Sequence, residues 1–264
     1  DKFRTNEILR QHGIAVADHA LFYQKDWQDG PEAFLNAVES RFAYPFIAKP
    51  ADDGCSSAVK KLKNREELQA FARQIFRQQP ALEEAPAKVL RLSRNEEFPQ
   101  KSYFLAETLI DRAGAKHFLE ITGGMLTHLR NGQTVYEVFE PSEALATGDV
   151  LSLEEKFLAG EGQNITPARF SRNAEENSRI SARVRETLEK TARLLNVQGY
   201  SRIDAFVRVF EDGRVETIII EINSLPGMTP ATCIFHQAAI NRYKPADFVD
   251  SILQYGMQRV KQAK

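Results

Sequence analysis

The chain has 264 residues, with 35 Lys and Arg against 36 Asp and Glu and a formal net charge of −1. That length suffices for two modest, closely packed domains, and the charge balance argues against a broad nucleic-acid-binding surface, so any anion site must be local. Cys55 and Cys233 form no CxxC pair, which excludes a readable disulfide framework or cysteine zinc site and leads us to expect reduced thiols in a cytoplasmic protein.

No run of residues approaches the ~18 apolar positions needed to span a bilayer, so no membrane association is expected. The opening Asp1-Lys2-Phe3-Arg4 has no leader pattern. A start without Met that runs straight into helical sequence suggests a fragment.

In chain order, Thr5 to His12 is predicted as a short helix capped by Thr5 and stopped by Gly13. Phe46 to Lys49 is a short buried strand ended by Pro50. Arg65 to Gln79 carries Leu68, Phe71, Ala72, Ile75 and Phe76 at helical spacing. Tyr103 to Ile110, His117 to Thr122, Met125 to Arg130 and Gln133 to Phe139 are strand-like runs separated by Gly and Asp, giving an antiparallel sheet. Glu140 to Phe170 shows little regular pattern, and an ordered loop of that length is usually functional. Helices are expected at Glu175 to Leu195, Ile234 to Arg242 and Pro245 to Lys261. Mixed strands with helices to one side predict an α+β fold.

Ser201 to Phe210 and Val215 to Asn223 flank the turn signal Asp212-Gly213, which predicts a hairpin. With Asp212 and Gly213 as the turn, Glu211 faces Arg214, Asp204 faces Glu221 and Arg202 faces Asn223. Strand alternation then puts all four polar side chains on one patch. Two facing carboxylates repel unless something bridges them. Oxygen-only ligands, Asp204, Glu221 and Asn223, suit Mg²⁺ rather than zinc. An ordinary ion pair between Arg202 and Asp204 explains the same residues without a metal. The segment Ser224-Leu225-Pro226-Gly227-Met228-Thr229 weighs toward an anion site, because backbone N–H groups of such a turn can meet an oxyanion.

No GxxxxGK[ST] motif occurs. Instead Lys49 ends a strand and Asp52-Asp53-Gly54-Cys55-Ser56-Ser57 follows, a point charge and short donors that would suit a triphosphate. Cys55 is set aside as a nucleophile, since no activating His or Asn is readable beside it.

Gly199-Tyr200-Ser201-Arg202-Ile203-Asp204 followed by Glu221-Ile222-Asn223 and the Pro-Gly-Met-Thr turn closely resembles the C-terminal signature of D-alanine–D-alanine ligases. Phe46 to Pro50 with Gly54 and Ser56 resembles their first ATP-grasp loop, Asp1-Lys2 the opening of their central domain, Ala106-Glu107 their adenine hinge, and Glu155-Lys156-Phe157 the motif of their closing loop. The resemblance implies an ATP-grasp fold, two α+β subdomains at 1–100 and 101–264 clasping ATP between antiparallel sheets, without the family's N-terminal domain. It implies that Lys2, Lys49, Ser56 and Lys156 contact ATP phosphates and Glu107 the adenine edge. Asp204, Glu221 and Asn223 would hold Mg²⁺, with Mn²⁺ as a substitute. Arg202 and the Gly227 N–H would stabilise an oxyanion, Lys156 would act at the γ-phosphate as the loop closes, and Thr232 and Phe157 would lie against substrate.

Cys55 stands where the family usually has Ser and Phe157 where Tyr is common, and near Asp111 to His117 the family's ribose-binding carboxylate has no counterpart, Lys116 and His117 being nearest. The implied activity is ATP-dependent joining of two D-alanines for peptidoglycan precursors. A depsipeptide ligase using a D-hydroxy acid, or a nucleotide-binding module without ligase activity, are the rivals. The expected partners are ATP, D-alanine and the N-terminal domain in cis; the resemblance also admits a homodimer.

Overall fold

The computed structural model describes residues 1–54, 57–93, 96–145, 164–229 and 232–262. Two compact units emerge: one holds Asp1–Glu7 and Ala17–Ile110, the other Ile8–Val16 and, of the described residues, 111–145, 164–229 and 232–262. The first unit runs past residue 100 because the strand Tyr103–Thr108 pairs inside its sheet.

Helix α1 spans Lys2–Gln11, three residues earlier than expected. The cap is Asp1, not Thr5: the Asp1 carboxylate accepts the Arg4 N–H at 2.8 Å and its carbonyl accepts the Thr5 N–H at 3.1 Å. A two-residue strand β1, Ala15–Val16, follows and belongs to the second unit. The first unit continues with β2 His19–Tyr23, α2 Gln24–Asp29, α3 Pro31–Arg41, β3 Phe46–Lys49, β4 Lys60–Leu62, α4 Arg65–Ile75, α5 Glu84–Val89 and β5 Tyr103–Thr108. Its antiparallel sheet has the order β2-β5-β3-β4. One face carries Phe46, Ala48, Phe104 and Ala106 into a core with Phe34, Phe42, Phe71 and Phe76. Alternation turns His19, Lys49, Leu105 and Glu107 to the other face. The stripe Leu68, Phe71, Ala72 and Ile75 is buried as its spacing predicted, and Asn64 caps α4 by accepting the Glu67 N–H at 2.9 Å.

The second unit contains β6 His117–Arg130, β7 Gln133–Val138, β8 Ser142–Ala144, β9 Asn164–Ile165, α6 Ala174–Leu194, β10 Tyr200–Val209, β11 Val215–Ser224, α7 Cys233–Ile240 and α8 Pro245–Gln262. The sheet order is β1-β11-β10-β6-β8-β9, with β7 also on β6 and β1 parallel to β11. Helix α6 packs Ile180, Val184 and Leu188 against Leu119, Ile121, Ile203, Ala205 and Val207. The runs 117–122 and 125–130, expected as separate strands, are one strand through Gly123-Gly124. These glycines give room rather than a turn: a Cβ on Gly123 would lie 2.3 Å from Leu188 Cδ1, and one on Gly124 2.3 Å from Gln237 Oε1. Within the segment 140–170, expected to be irregular, β8 and β9 form a short antiparallel pair. No helix among the described residues is long and apolar enough to cross a membrane.

Candidate active site

The hairpin β10–β11 forms, but with a different turn from the one expected. Phe210 N–H donates to Arg214 O at 2.9 Å and Gly213 N–H to Phe210 O at 3.1 Å, with Gly213 at φ +79°. Three residues therefore make the loop, Val209 faces Val215, and Glu211 does not face Arg214. That turn alone would place Asp204 opposite residue 220. One extra residue, Ile220, bulges opposite the step between Asp204 and Ala205 and restores the expected register beyond it, so Arg202 faces Asn223 and Asp204 faces Glu221.

The four side chains meet. Arg202 donates from Nε and Nη2 to the two oxygens of Asp204, both at 3.0 Å. Asn223 Nδ2 lies 3.1 Å from Asp204 Oδ2 and 3.1 Å from Glu221 Oε1. Asp204 is buried, and the other three are partly so. Burial alone would pull the Arg202 guanidinium down, but Asp204, through charge and hydrogen bonds, and Glu221 more than offset it and hold its pKa above the ordinary value. Arg202 thus stays charged within the bidentate pair. Behind it Cys233 is buried at the first turn of α7, and desolvation pushes its thiol up, so it stays neutral.

Next along the chain, Leu225 takes φ +51° and turns the backbone toward Gly227. A Cβ on Gly227 would lie 3.8 Å from Thr232 Cγ2, so the expected oxyanion donor and substrate-binding hydroxyl are neighbours. Thr232 occupies the N-cap position of α7, and its hydroxyl and backbone N–H both donate to Thr229 O, at 2.7 and 2.9 Å.

In the first unit, Lys49 Nζ lies 2.6 Å from Glu107 Oε2, both side chains being nearly buried. Asn6 Nδ2 donates to the other oxygen, Glu107 Oε1, at 3.1 Å. Lys2 Nζ donates to the carbonyl of Asp53 and its backbone N–H to Ala51 O at 2.7 Å. Lys101 bridges Asp52 at 2.9 Å and Asp53 at 3.1 Å. Lys2, Lys49 and Glu107 thus surround the start of the loop read as phosphate-binding. Asn6 and Lys101 escaped the sequence reading because neither sits in a motif and each meets partners far away along the chain. Ser56, Lys156, Phe157 and Cys55 lie outside the described residues. Lys116 pairs with Glu176 at 3.3 Å and His117 Nε2 bonds Arg169 O at 2.8 Å. His117 faces Val209 and shares the α6 face of the sheet, opposite to Asp204.

Among the described residues no three His, Cys, Asp or Glu side chains cluster as a metal site. The set that does converge is two carboxylates and one carboxamide. Asn223 Nδ2, within 3.1 Å of both carboxylates, marks the point at which they aim. Turning that amide over presents an oxygen there instead, and such an oxygen set, completed by phosphate and water, fits Mg²⁺.

A family model described as D-ala D-ala ligase C-terminus matches residues 8–83 and 115–254, more than half of the chain, and covers the whole hairpin. The chain belongs to the D-alanine–D-alanine ligase family. Similar curated proteins include the D-alanine–D-alanine ligase of Leptospira interrogans serogroup Icterohaemorrhagiae serovar copenhageni (strain Fiocruz L1-130), 28% identical over 259 residues, 98% of this chain and 62% of that protein. Another is that of Chlorobium phaeobacteroides (strain BS1), 30% identical over 229 residues, 87% of this chain and 52% of that one. The solved D-alanine–D-alanine ligase from Bacillus anthracis complexed with ATP matches with a TM-score of 0.60 at 18% identity, covering 100% of this chain and 68% of that one. The enzyme from Coxiella burnetii matches with a TM-score of 0.64 at 14% identity, covering 99% and 57%. The fold is the α+β ATP-grasp fold of this family, and the chain spans between half and two thirds of the length of these curated family members.

Proposed function

We propose that this chain carries the ATP- and Mg²⁺-dependent chemistry of a D-alanine–D-alanine ligase. The observation that carries the proposal is the convergence of Arg202, Asp204, Glu221 and Asn223 at one end of a hairpin that the family match spans. In this reaction the γ-phosphoryl group of ATP passes to the carboxylate of one D-alanine, leaving ADP and an acyl phosphate. The amine of a second D-alanine then attacks the acyl carbon, inorganic phosphate leaves, and a dipeptide forms. Asp204, Glu221 and Asn223 would hold Mg²⁺, which when bound neutralises phosphoryl charge.

Arg202 is held by Asp204 through Nε and Nη2, and together with the Gly227 N–H it would meet the oxyanion formed when the amine attacks. Fixed donors of this kind are each worth ~3 kcal/mol of barrier lowering. The Thr232 hydroxyl would turn from Thr229 O to the carboxylate of the second D-alanine. Lys2, Lys49 and Ser56 are assigned to ATP phosphates, Lys156 to the γ-phosphate, Phe157 to the first D-alanine and Glu107 to the adenine edge. A role in peptidoglycan precursor synthesis in the cytoplasm follows from that product.

The test is D-alanine-dependent release of ADP, with the product identified by mass. ADP release that requires both D-alanine and Mg²⁺ is expected, with a dipeptide product when the N-terminal domain expected in cis is supplied. ATP turnover indifferent to D-alanine would overturn the ligase assignment. A thermal-shift measurement separates binding from turnover, since ligand at ~100 times its Kd stabilises by ~2.7 kcal/mol.

A further inference from the structure

The loop that follows β3 carries two consecutive carboxylates, Asp52 and Asp53, with side chains 43 and 33% exposed. That is the wrong sign for a segment assigned to a triphosphate, since carboxylates within a Debye length of ~8 Å repel an incoming anion. Lys101 meets both. Its Nζ lies 2.9 Å from Asp52 Oδ1 and 3.1 Å from Asp53 Oδ2, with its own side chain 20% exposed.

Backbone bonds fix where that ammonium stands. The Lys101 N–H donates to Ile75 O at 2.9 Å, at the end of α4, and the neighbouring Ser102 O accepts the Gln24 N–H at 2.8 Å, at the start of α2. Strand β5 then begins at Tyr103, and Lys49, the last residue of β3, faces Leu105 on it. Continuing that antiparallel register past the end of β3 brings residue 53 level with residue 101. The Lys101 side chain therefore prolongs the β3–β5 pairing with two ion pairs where the strand bonds stop. Burial alone would pull its ammonium down, but Asp52 and Asp53 more than offset this and hold its pKa above the ordinary value. Ion pairs as exposed as these add little to stability, so their consequence lies in the loop they hold.

Resting on the ligase reading above, we propose that Lys101 is a positioning residue for ATP: it draws the two carboxylates of the phosphate loop back to β5 and offsets their charge, so that the loop accepts a triphosphate. Lys101 acts through Asp52 and Asp53 and does not itself touch the nucleotide. Lys2 secures the same loop at its backbone, with Nζ donating to the Asp53 carbonyl and its N–H to Ala51 O at 2.7 Å. The loop is thus held by one lysine at its main chain and by another at its side chains.

Isothermal titration calorimetry of the whole chain with ATP and Mg²⁺, and separately with adenosine, is the measurement. Lys101→Met should weaken ATP binding at least ~10-fold, by leaving both carboxylates uncompensated, and the loss should shrink at high salt. Adenosine carries no phosphate, so its affinity should not change. Lys101→Arg should bind ATP as the unaltered chain does. Adding Asp52→Asn and Asp53→Asn to Lys101→Met should restore ATP affinity, because the charges that needed an ammonium are then gone. Lys101→Gln gives the same comparison if the methionine variant fails to fold. An ATP affinity indifferent to Lys101→Met would overturn the proposal. Equal weakening of ATP and adenosine would do so too, as a purely structural effect, and so would a triple variant that stays weak, since Lys101 would then meet phosphate directly. An unaltered chain that binds no ATP in the presence of Mg²⁺ would instead overturn the ligase reading beneath it.

Discussion

Lys49 and Glu107 stand on neighbouring antiparallel strands of the first unit with Nζ 2.6 Å from Oε2, their side chains only 6 and 9% exposed. Taking two charges out of water is costly, and mutual attraction recovers that cost only in good geometry. Asn6 helps by donating to the second carboxylate oxygen at 3.1 Å. The proposed phosphate and adenine contacts are therefore held in position by each other.

Glu107→Gln should destabilise the protein by ~3 kcal/mol, since it strands the buried Lys49 ammonium. Lys49→Met combined with Glu107→Gln should cost less than the sum of the single changes. Urea unfolding of the four proteins gives the coupling energy directly. Additive effects within ~0.5 kcal/mol would mean that the pair is not formed in solution.

Gly124→Ala should be more damaging than Gly123→Ala. Both Cβ atoms would come within 2.3 Å of a neighbour, but the neighbours differ. Leu188 Cδ1 ends an apolar side chain that a small rotamer adjustment can move. Gln237 is wholly buried and fully committed: its Oε1 accepts the Gly124 N–H at 2.8 Å while its Nε2 donates to Thr122 O at 2.7 Å and Ser142 Oγ at 2.9 Å. Displacing it breaks these buried bonds, each leaving polar groups that cost ~1–3 kcal/mol unpaired. Comparable melting temperatures for the two variants would contradict this ranking.

The same glycines show where sequence reasoning falls short. A Gly-Gly pair between strand-like runs reads as a turn, and only the packing of α6 and α7 over β6 reveals that it is close approach. The hairpin teaches a related lesson. Asp212-Gly213 correctly marked the turn, yet a three-residue loop shifts the register by one, and a one-residue slip would send Asp204 and Glu221 to opposite faces. The Ile220 bulge cancels the shift, and nothing in the local residues announces a bulge made without glycine. Strand alternation, in contrast, was legible throughout, which is why Arg202, Asp204, Glu221 and Asn223 share a face as expected. Asn6 was illegible because its partner lies 101 positions away.

Acid stability should depend on Glu137. Its Oε2 accepts from His128 Nε2 at 2.8 Å and from the Tyr243 hydroxyl at 2.6 Å. The His128 bond lowers its pKa, partial burial opposes this, and the Tyr243 bond lowers it further, leaving the carboxyl below its ordinary value. The Tyr243 phenol is correspondingly raised, by burial first and then by Glu137. Because the folded pKa of Glu137 lies below the unfolded one, its stabilisation is present above ~4.3 and is lost as pH falls through the folded value. Tyr243→Phe should therefore lower the urea midpoint at pH 7 and have a smaller effect below pH ~4. A difference between the two proteins that grows on acidification would contradict this.

Glu221→Gln is the most direct test of the proposed metal site. It keeps the shape of the side chain, and a carboxamide oxygen can still accept from Asn223, so the hairpin should persist with a stability change below ~1 kcal/mol. What it removes is one of the two charges that face each other across β10 and β11, the feature that favours a divalent cation there. Asp204 is a poorer choice for this test. It is 5% exposed and bound through both oxygens to Arg202, so Asp204→Asn would break a buried pair at ~3 kcal/mol and confuse folding with function. For Glu221→Gln we expect ADP formation to fall by at least ~100-fold, equivalent to ~2.7 kcal/mol of transition-state stabilisation. The extra thermal stabilisation that Mg²⁺ gives over ATP alone should shrink in parallel. If these side chains form only a structural ion-pair network, the outcome reverses: the urea midpoint moves while ADP formation and the Mg²⁺ increment stay as in the unaltered protein.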